Sequence, residues 1–251
     1  MIDEQEIGGS DGIRLLRLSH GRVSALDLEL CHALTRRLRA LAGDATRAVV
    51  LTGTGSAFCA GVDLKRVLDD GTAYLERFLP AMAECFETLL TFPKPLIGAI
   101  NGHAIAGGCI IAATCDWAVL AEGKGRMGLS ELAVGVPFPV LPLEIMRARV
   151  PEPGFRELVL GADTVLPDRA LALGLVHELV RPDLLLSCAR EHAERLAAIP
   201  PQAFRLTKAS VVAPVLARTR DGAAVDVEVA AMWGRPEVLE PIRAYMAKLA
   251  R

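Results

Sequence analysis

Little in this chain invites a charged macromolecule, a membrane or a metal. Its 251 residues carry a formal net charge of −2, so no basic excess favours nucleic acid, and none is expected as a partner. An anionic ligand would need a local cluster of Lys, Arg or backbone N–H groups. No apolar run approaches the length that spans a bilayer, and the acidic, polar start MIDEQEIGGSDG resembles neither a signal nor a transit peptide. Cys31, Cys59, Cys85, Cys109, Cys115 and Cys188 form no C-x-x-C pair and have no His at metal-ligand spacing. No metal site is expected, and free thiols in a reducing, cytoplasmic setting are. Phosphate loops are missing too. After Gly53-Thr54-Gly55 the third glycine of a dinucleotide fingerprint is replaced by Phe58, and no Gly-Lys-Ser/Thr occurs. The absence of a G-x-S-x-G elbow argues against an α/β-hydrolase.

What the chain has is an apolar content of 52%, ample for an α/β core and suited to a protein that buries surface in an oligomer. After a start that reads as disordered, Ile13 to Leu18 predicts a strand. Leu26 to Leu41, apolar at 26, 30, 34, 38 and 41, predicts an amphipathic helix, and Ala48 to Thr52 a buried strand of the parallel kind. A helix is expected over 73–90, a strand over 96–100, a short helix from Gly107 to about Cys115, and a strand over 116–121. Beyond Pro142 helices dominate, at 142–149, 153–160, 167–173, 184–198, 202–217 and 236–250. Strand–helix alternation followed by helices implies a parallel sheet with helical crossovers and a helical tail.

Two segments carry chemistry. In the first, Gly53 to Leu64, a strand and tight turn lead to Ala60-Gly61, where small residues let a backbone approach something closely. In the second, Ala99 to Cys109, a strand and turn run into Gly107-Gly108 at a helix start, which presents free N–H groups and a positive helix end to an anion. Taken singly, the first also reads as a structural turn and the second as tight packing.

Together, Ala57–Leu64 (A-F-C-A-G-x-D-L) and Asn101–Gly108 (N-G-x-A-x-G-G) resemble the enoyl-CoA hydratase/isomerase (crotonase) superfamily. The likeness continues through Cys115-Asp116, Gly128 to Leu132, Ala172 to Val176 and Thr207-Lys208. It implies an α/β crotonase-like spiral of ββα units over 1–195, serving acyl-CoA binding and catalysis. A helical C-terminal region, 196–251, would cover the site, in a homotrimer or dimer of trimers. The implied partner is an acyl-CoA thioester; coenzyme A is part of the substrate, so no separate cofactor is called for. Carried over by position, the resemblance puts the oxyanion-holding N–H groups on Val62 and Gly107. It sets Arg22, Val23, Ser24 and Ala25 against the CoA adenine, with Ala60 beside that groove. Lys65 is a candidate for a CoA phosphate, and equally reads as a solvated surface lysine.

The sequence departs from the hydratases at one position. Hydration needs two carboxyl groups flanking a water. The first glutamate of the family pattern falls on Ile110, which cannot move a proton, while the second falls on Glu131. One carboxylate beside an oxyanion hole still suffices to shift a double bond, as in the Δ3–Δ2 isomerases that this arrangement resembles. Leu129, Leu132, Val134, Val136 and Phe138 are expected to make Glu131's surroundings apolar, strengthening it as a base. Ile110 and Phe138, the latter in the stiff Val136-Pro137-Phe138-Pro139 loop, are expected to line the acyl pocket. The alternatives are a hydratase or lyase borrowing a second acid such as Glu144 or Glu122, or an acyl-CoA-binding homologue without catalysis. His103 reads as a turn residue, Asp63 and Asp116 as makers of structural hydrogen bonds, and Cys109 as an unactivated thiol.

Overall fold

The computed structural model describes residues 1–7 and 12–249. Segments such as Ala48-Val49-Val50-Leu51-Thr52 offer water no polar face, so they become inner strands covered on both sides. Strands β3 (Ala48–Thr52) and β5 (Leu96–Ile100) are buried at every residue. They pair in parallel with each other, with β2 (Ile13–Leu18) on one side and β7 (Trp117–Ala121) on the other. The register sets Val50 opposite Ile97, and Ile97 opposite Trp117. Strand β10 (Glu178–Val180) adds to β7 in parallel. A second sheet is built from very short strands, β4 (Ala57–Cys59), β6 (His103–Ile105) and β8 (Met127–Gly128), with β9 (Thr164–Val165) antiparallel at its edge.

Each inner strand of the large sheet leads to a strand of the small one and then to a helix. The chain runs β3, β4, α2 (Leu64–Leu90); β5, β6, α3 (Gly107–Thr114); and β7, β8, a 3-10 turn (Leu132–Val134), α4 (Val140–Arg149). This is the expected spiral of ββα units. Helix α1 (Leu28–Gly43) packs with α2 over one face of the large sheet. Helix α7 (Leu185–Ala197) covers the other, where Leu185, Ala189, Ala193 and Ala197 recur every fourth residue against Val50, Ile97 and Val119. Helices α5 (Gly154–Gly161) and α6 (Pro167–Ala172) flank β9. Helices α8 (Pro201–Asp221), α9 (Ala223–Trp233) and α10 (Pro236–Leu249) follow, and their Val212, Val215, Val229, Trp233 and Ile242 join the main core. No helix among the described residues is long and apolar enough to cross a membrane.

Several expected elements change. The start that reads as disordered holds β1 (Ile2–Ile7), antiparallel to β2, with Ile2 opposite Leu18 and Ile7 opposite Ile13. Its polar side chains hid it: as an edge strand it needs only backbone pairing, and Glu4 and Glu6 meet Arg14 and Arg37. The remainder of that stretch, 8–11, lies outside the described residues, as does position 250 at the expected end of the last helix. Helix α2 begins at Leu64, well before position 73, because the Asp63 carboxylate accepts from the Arg66 N–H at 3.1 Å; Gly71, at φ 62°, kinks it. Helix α9 was not foreseen. Its Val-rich sequence shows no stripe, and only Val229 and Trp233 are buried.

One buried ion pair ties α8 to the sheet. Asp116 Oδ2, at the foot of β7, accepts from the Leu96 N–H and from Lys208 Nζ, each at 2.8 Å. Lys208 is buried despite its charge. Removing one partner of such a pair strands the other, so Lys208→Ala should cost about 3–5 kcal/mol in urea unfolding. Burial already pushes the Asp116 carboxyl upward against the pull of Lys208. The loss should therefore be larger at pH 8 than at pH 5, where the stranded acid can take a proton.

Candidate functional site

Strands β4, β6 and β8 are parallel neighbours, so the three segments leaving their carboxyl ends are neighbours too. That edge is where open α/β sheets place ligands. Ala60, Gly61 and Val62 follow β4, Ala106 and the first turn of α3 follow β6, and Leu129, Ser130 and Glu131 follow β8. Gly61 has φ 85°, and a Cβ there would lie 2.7 Å from the Ile105 carbonyl oxygen and 3.4 Å from the Gly107 nitrogen. A Cβ on Gly108 would lie 2.0 Å from the Cys59 carbonyl oxygen. Only glycine lets these backbones meet. Ala106 is held at φ 51° and ψ −123° just before α3, a costly conformation for a residue with a side chain. Its N–H donates to the Gly128 carbonyl oxygen at 2.8 Å, which links the second segment to the third.

Among the described residues, neither the Val62 N–H nor the Gly107 N–H has a protein acceptor. Their neighbours are engaged: the Leu26 N–H donates to the Gly61 carbonyl at 2.7 Å, and the Asp63 N–H to the Leu26 carbonyl at 2.9 Å. Gly107 opens α3, where a helix leaves its first N–H groups free. Both residues border one cavity of about 80 Å³, which Ile110, Glu131 and Phe138 also line. It is the arrangement needed to receive a polarised carbonyl oxygen beside a single acid.

Glu131 is the one carboxyl among the described residues lining this cavity. The residue keeps partial exposure, yet its Oε2 is buried without a hydrogen-bond partner. Burial pushes the carboxyl up to about 7, against the backbone N–H groups of Glu131 and Ser130, which favour the carboxylate. The apolar wall is narrower than expected. Val134, Val136 and Phe138 line the cavity, whereas Leu132 is 43% exposed and Leu129 belongs to the core beneath. Neither acid considered for borrowing reaches it. Glu144 is clasped by Arg147 at 3.0 Å and Arg218 at 2.6 Å, and Glu122 is exposed beyond the end of β7.

The segment 22–25 and Ala60 do come together. The Ala60 N–H donates to the Val23 carbonyl at 3.1 Å, and Leu26 forms a parallel bridge with Val62. Arg22 and Val23 are exposed and Ala25 half-buried, while Ser24 is buried at φ 49°. Lys65 stands outside the cavity lining, exposed, with Nζ 2.5 Å from Asp69 Oδ2. His103 is the first residue of β6 and not a turn residue as expected, its Nδ1 accepting from the Arg126 N–H at 3.3 Å, and Asp63 caps α2. Burial pushes the Cys109 thiol up to about 12, which leaves it inert. Away from this edge Glu178, Cys188 and His192 converge, but His192 Nε2 and Glu178 Oε2, 2.9 Å apart, already satisfy each other.

Sequence reasoning missed the lining from Met82 and Phe86 on α2, Trp233 on α9 and Tyr245 on α10. No local pattern marks them; they arrive by long-range packing. A larger apolar groove of about 690 Å³ opens between α2, α9 and the start of α4, and shares Met82, Phe86, Pro139 and Pro142 with the cavity.

Comparison with known proteins identifies the family and the fold. The family model described as Enoyl-CoA hydratase/isomerase matches residues 8–249. A putative enoyl-CoA hydratase from Thermus thermophilus is 35% identical, over 90% of this chain and 91% of its own. Mouse mitochondrial enoyl-CoA delta isomerase 1 is 33% identical, over 81% and 71% respectively. The crystal structure of human mitochondrial delta3-delta2-enoyl-CoA isomerase superposes with a TM-score of 0.93 at 27% identity, covering 99% of this chain and 98% of that one.

Proposed function

The chain belongs to the enoyl-CoA hydratase/isomerase family, and from that premise we propose that it moves the double bond of a 3-enoyl-CoA to position 2. The observation that carries this is a cavity with two free backbone N–H groups and one carboxyl. Glu131 takes a proton from the α-carbon, the Val62 and Gly107 N–H groups hold the dienolate oxygen, and the same carboxyl returns the proton at C4. Each such donor is typically worth about 3 kcal/mol in the transition state. Hydration would require a second acid where Ile110 stands, and Glu144 is committed to two arginines. In this reading Arg22 to Ala25 and Ala60 receive the adenine end of CoA, and Lys65 can reach a phosphate only by leaving Asp69. The acyl chain passes Ile110 and Phe138 toward the groove shared through Met82 and Phe86.

The test is a direct comparison of 3-hexenoyl-CoA isomerisation with crotonyl-CoA hydration. Isomerisation should be faster by about a hundredfold or more, the usual worth of a missing proton-transfer group. A base must be ionised to act, so kcat/KM should rise with pH through about 7, where Glu131 titrates, and level off above it. Hydration outrunning isomerisation would overturn the reading. Tight acyl-CoA binding with neither reaction would favour the homologue without catalysis.

A further inference from the structure

The segment that carries the Val62 amide and the segment beside it are built alike. Residues 23–26 run into α1 and residues 60–62 into α2. Three backbone bonds join them: Ala60 N–H to the Val23 carbonyl, Leu26 N–H to the Gly61 carbonyl, and Asp63 N–H to the Leu26 carbonyl. Each ends in an aspartate that caps its helix, Asp27 accepting from the Leu30 N–H at 2.8 Å and Asp63 from the Arg66 N–H at 3.1 Å. Arg66 spans the seam between the two helix starts. Its guanidinium grips both oxygens of Glu29 in the first turn of α1, Nη2 donating to Oε1 at 2.8 Å and Nη1 to Oε2. Its Nε donates to Asp70 Oδ2 at 3.3 Å, and Nη1 lies 3.5 Å from Asp27 Oδ2. The same group sits 5.0 Å above the ring of Tyr74, whose hydroxyl accepts from the Leu28 N–H at 3.1 Å.

Stability alone does not call for an arginine here. A cation beside two helix N-termini opposes both dipoles, and a pair whose side chains are 31% and 44% exposed adds little to the fold. Position is another matter. Gly71 interrupts α2 soon after its start, and among residues 64–70 Val67 alone is fully buried, with Leu64 and Leu68 half-buried. Little core packing therefore holds the piece of helix that follows directly on Val62. A two-pronged arginine–carboxylate contact fixes geometry as well as distance. We propose that Arg66 is a positioning residue that, by joining the first turns of α1 and α2, fixes the Val62 amide against the thioester oxygen; the assignment rests on the acyl-CoA reading above.

Difference infrared spectra of bound hexanoyl-CoA, isotopically labelled at the thioester carbonyl, test this. That bond weakens as N–H donors grip its oxygen, and the reading needs no turnover. In the unaltered protein the carbonyl band should lie below that of the free ligand. In Arg66→Met, and in Glu29→Ala as a second way to break the same contact, roughly half of that shift should be lost, one of two donors having moved. The kcat for 3-hexenoyl-CoA should fall about tenfold or more in each, with hexanoyl-CoA affinity within about threefold of the unaltered protein. The double variant should be no worse than Arg66→Met, because the two residues are the ends of one contact. Thermal melting should barely move. A full band shift and full kcat in both variants overturn the assignment and leave the acyl-CoA reading standing. Lost affinity with the band unmoved makes Arg66 a CoA contact instead, and affinity, band and melting temperature falling together mark a purely structural role; either result overturns it. No band shift in the unaltered protein removes the oxyanion reading and this assignment with it.

Discussion

Glu131→Gln should lower the isomerisation kcat by about 10²–10⁴-fold, the range set by loss of a positioned base, while acyl-CoA binding persists. Glutamine keeps the shape and the cavity wall but cannot accept a proton from carbon. Stopped-flow kinetics with 3-hexenoyl-CoA, beside titration with hexanoyl-CoA, separate the two effects; an unchanged kcat removes Glu131 from the chemistry. The same variant has a stability signature. The folded carboxyl titrates near 7 against an ordinary value of 4.5, so the folded state holds its proton more tightly than the unfolded chain. Stability from that difference is complete below pH 4.5 and lost as pH rises through 7. At pH 8 the glutamine variant should therefore be the more stable protein, by about 1–3 kcal/mol with allowance for partial solvation, and at pH 4 the difference should vanish. A residue whose removal steadies the fold while stopping the reaction is there for the reaction.

Gly108→Ala should be the most damaging change among the glycines near the site. The added carbon would stand 2.0 Å from the Cys59 carbonyl oxygen and 2.7 Å from its carbon, both backbone atoms of β4. No side chain can swing aside, so α3 or β4 must shift by about 1 Å, enough to cost about 100-fold in kcat/KM even where binding groups are intact. Overpacking adds about 1–3 kcal/mol of lost stability. Gly43→Ala near the end of α1, where a Cβ meets nothing within 4 Å, is the control and should be close to neutral in both kinetics and thermal melting. If Gly108→Ala melted and turned over like that control, the two glycines would not be setting the approach of β4 and α3.

The candidate edge was legible in sequence because it is built from short contiguous strings. Ala60 to Val62, Ala106 to Gly107 and Glu131 each lie just after a strand, and the glycines among them answer to close backbone approaches between these strings, which neighbouring strands bring together. The parallel strands were legible for a related reason: β3 and β5 have no polar face to hide. What stayed hidden depends on contacts distant in the chain. Strand β1 is polar because β2 holds it through the backbone, and α9 shows no stripe because only Val229 and Trp233 turn inward. Trp233 and Tyr245 reach the cavity from more than a hundred residues after Glu131, and nothing local announces their role. Leu132, apolar yet 43% exposed, shows the reverse error: neighbourhood in sequence is not neighbourhood in space across a 3-10 turn.

The amides of Val62 and Gly107 belong to the main chain, and that has an evolutionary corollary. Among the twenty ordinary residues only proline can delete an N–H, so side-chain changes at Val62 leave its share of the proposed anion receptor in place, whereas at Gly107 an added Cβ would lie 2.6 Å from Leu26 Cδ1. The proton-moving group has no such protection, since one nucleotide change can replace a glutamate. Lineages built on this frame can thus drift from one reaction to another while continuing to grip the same kind of thioester.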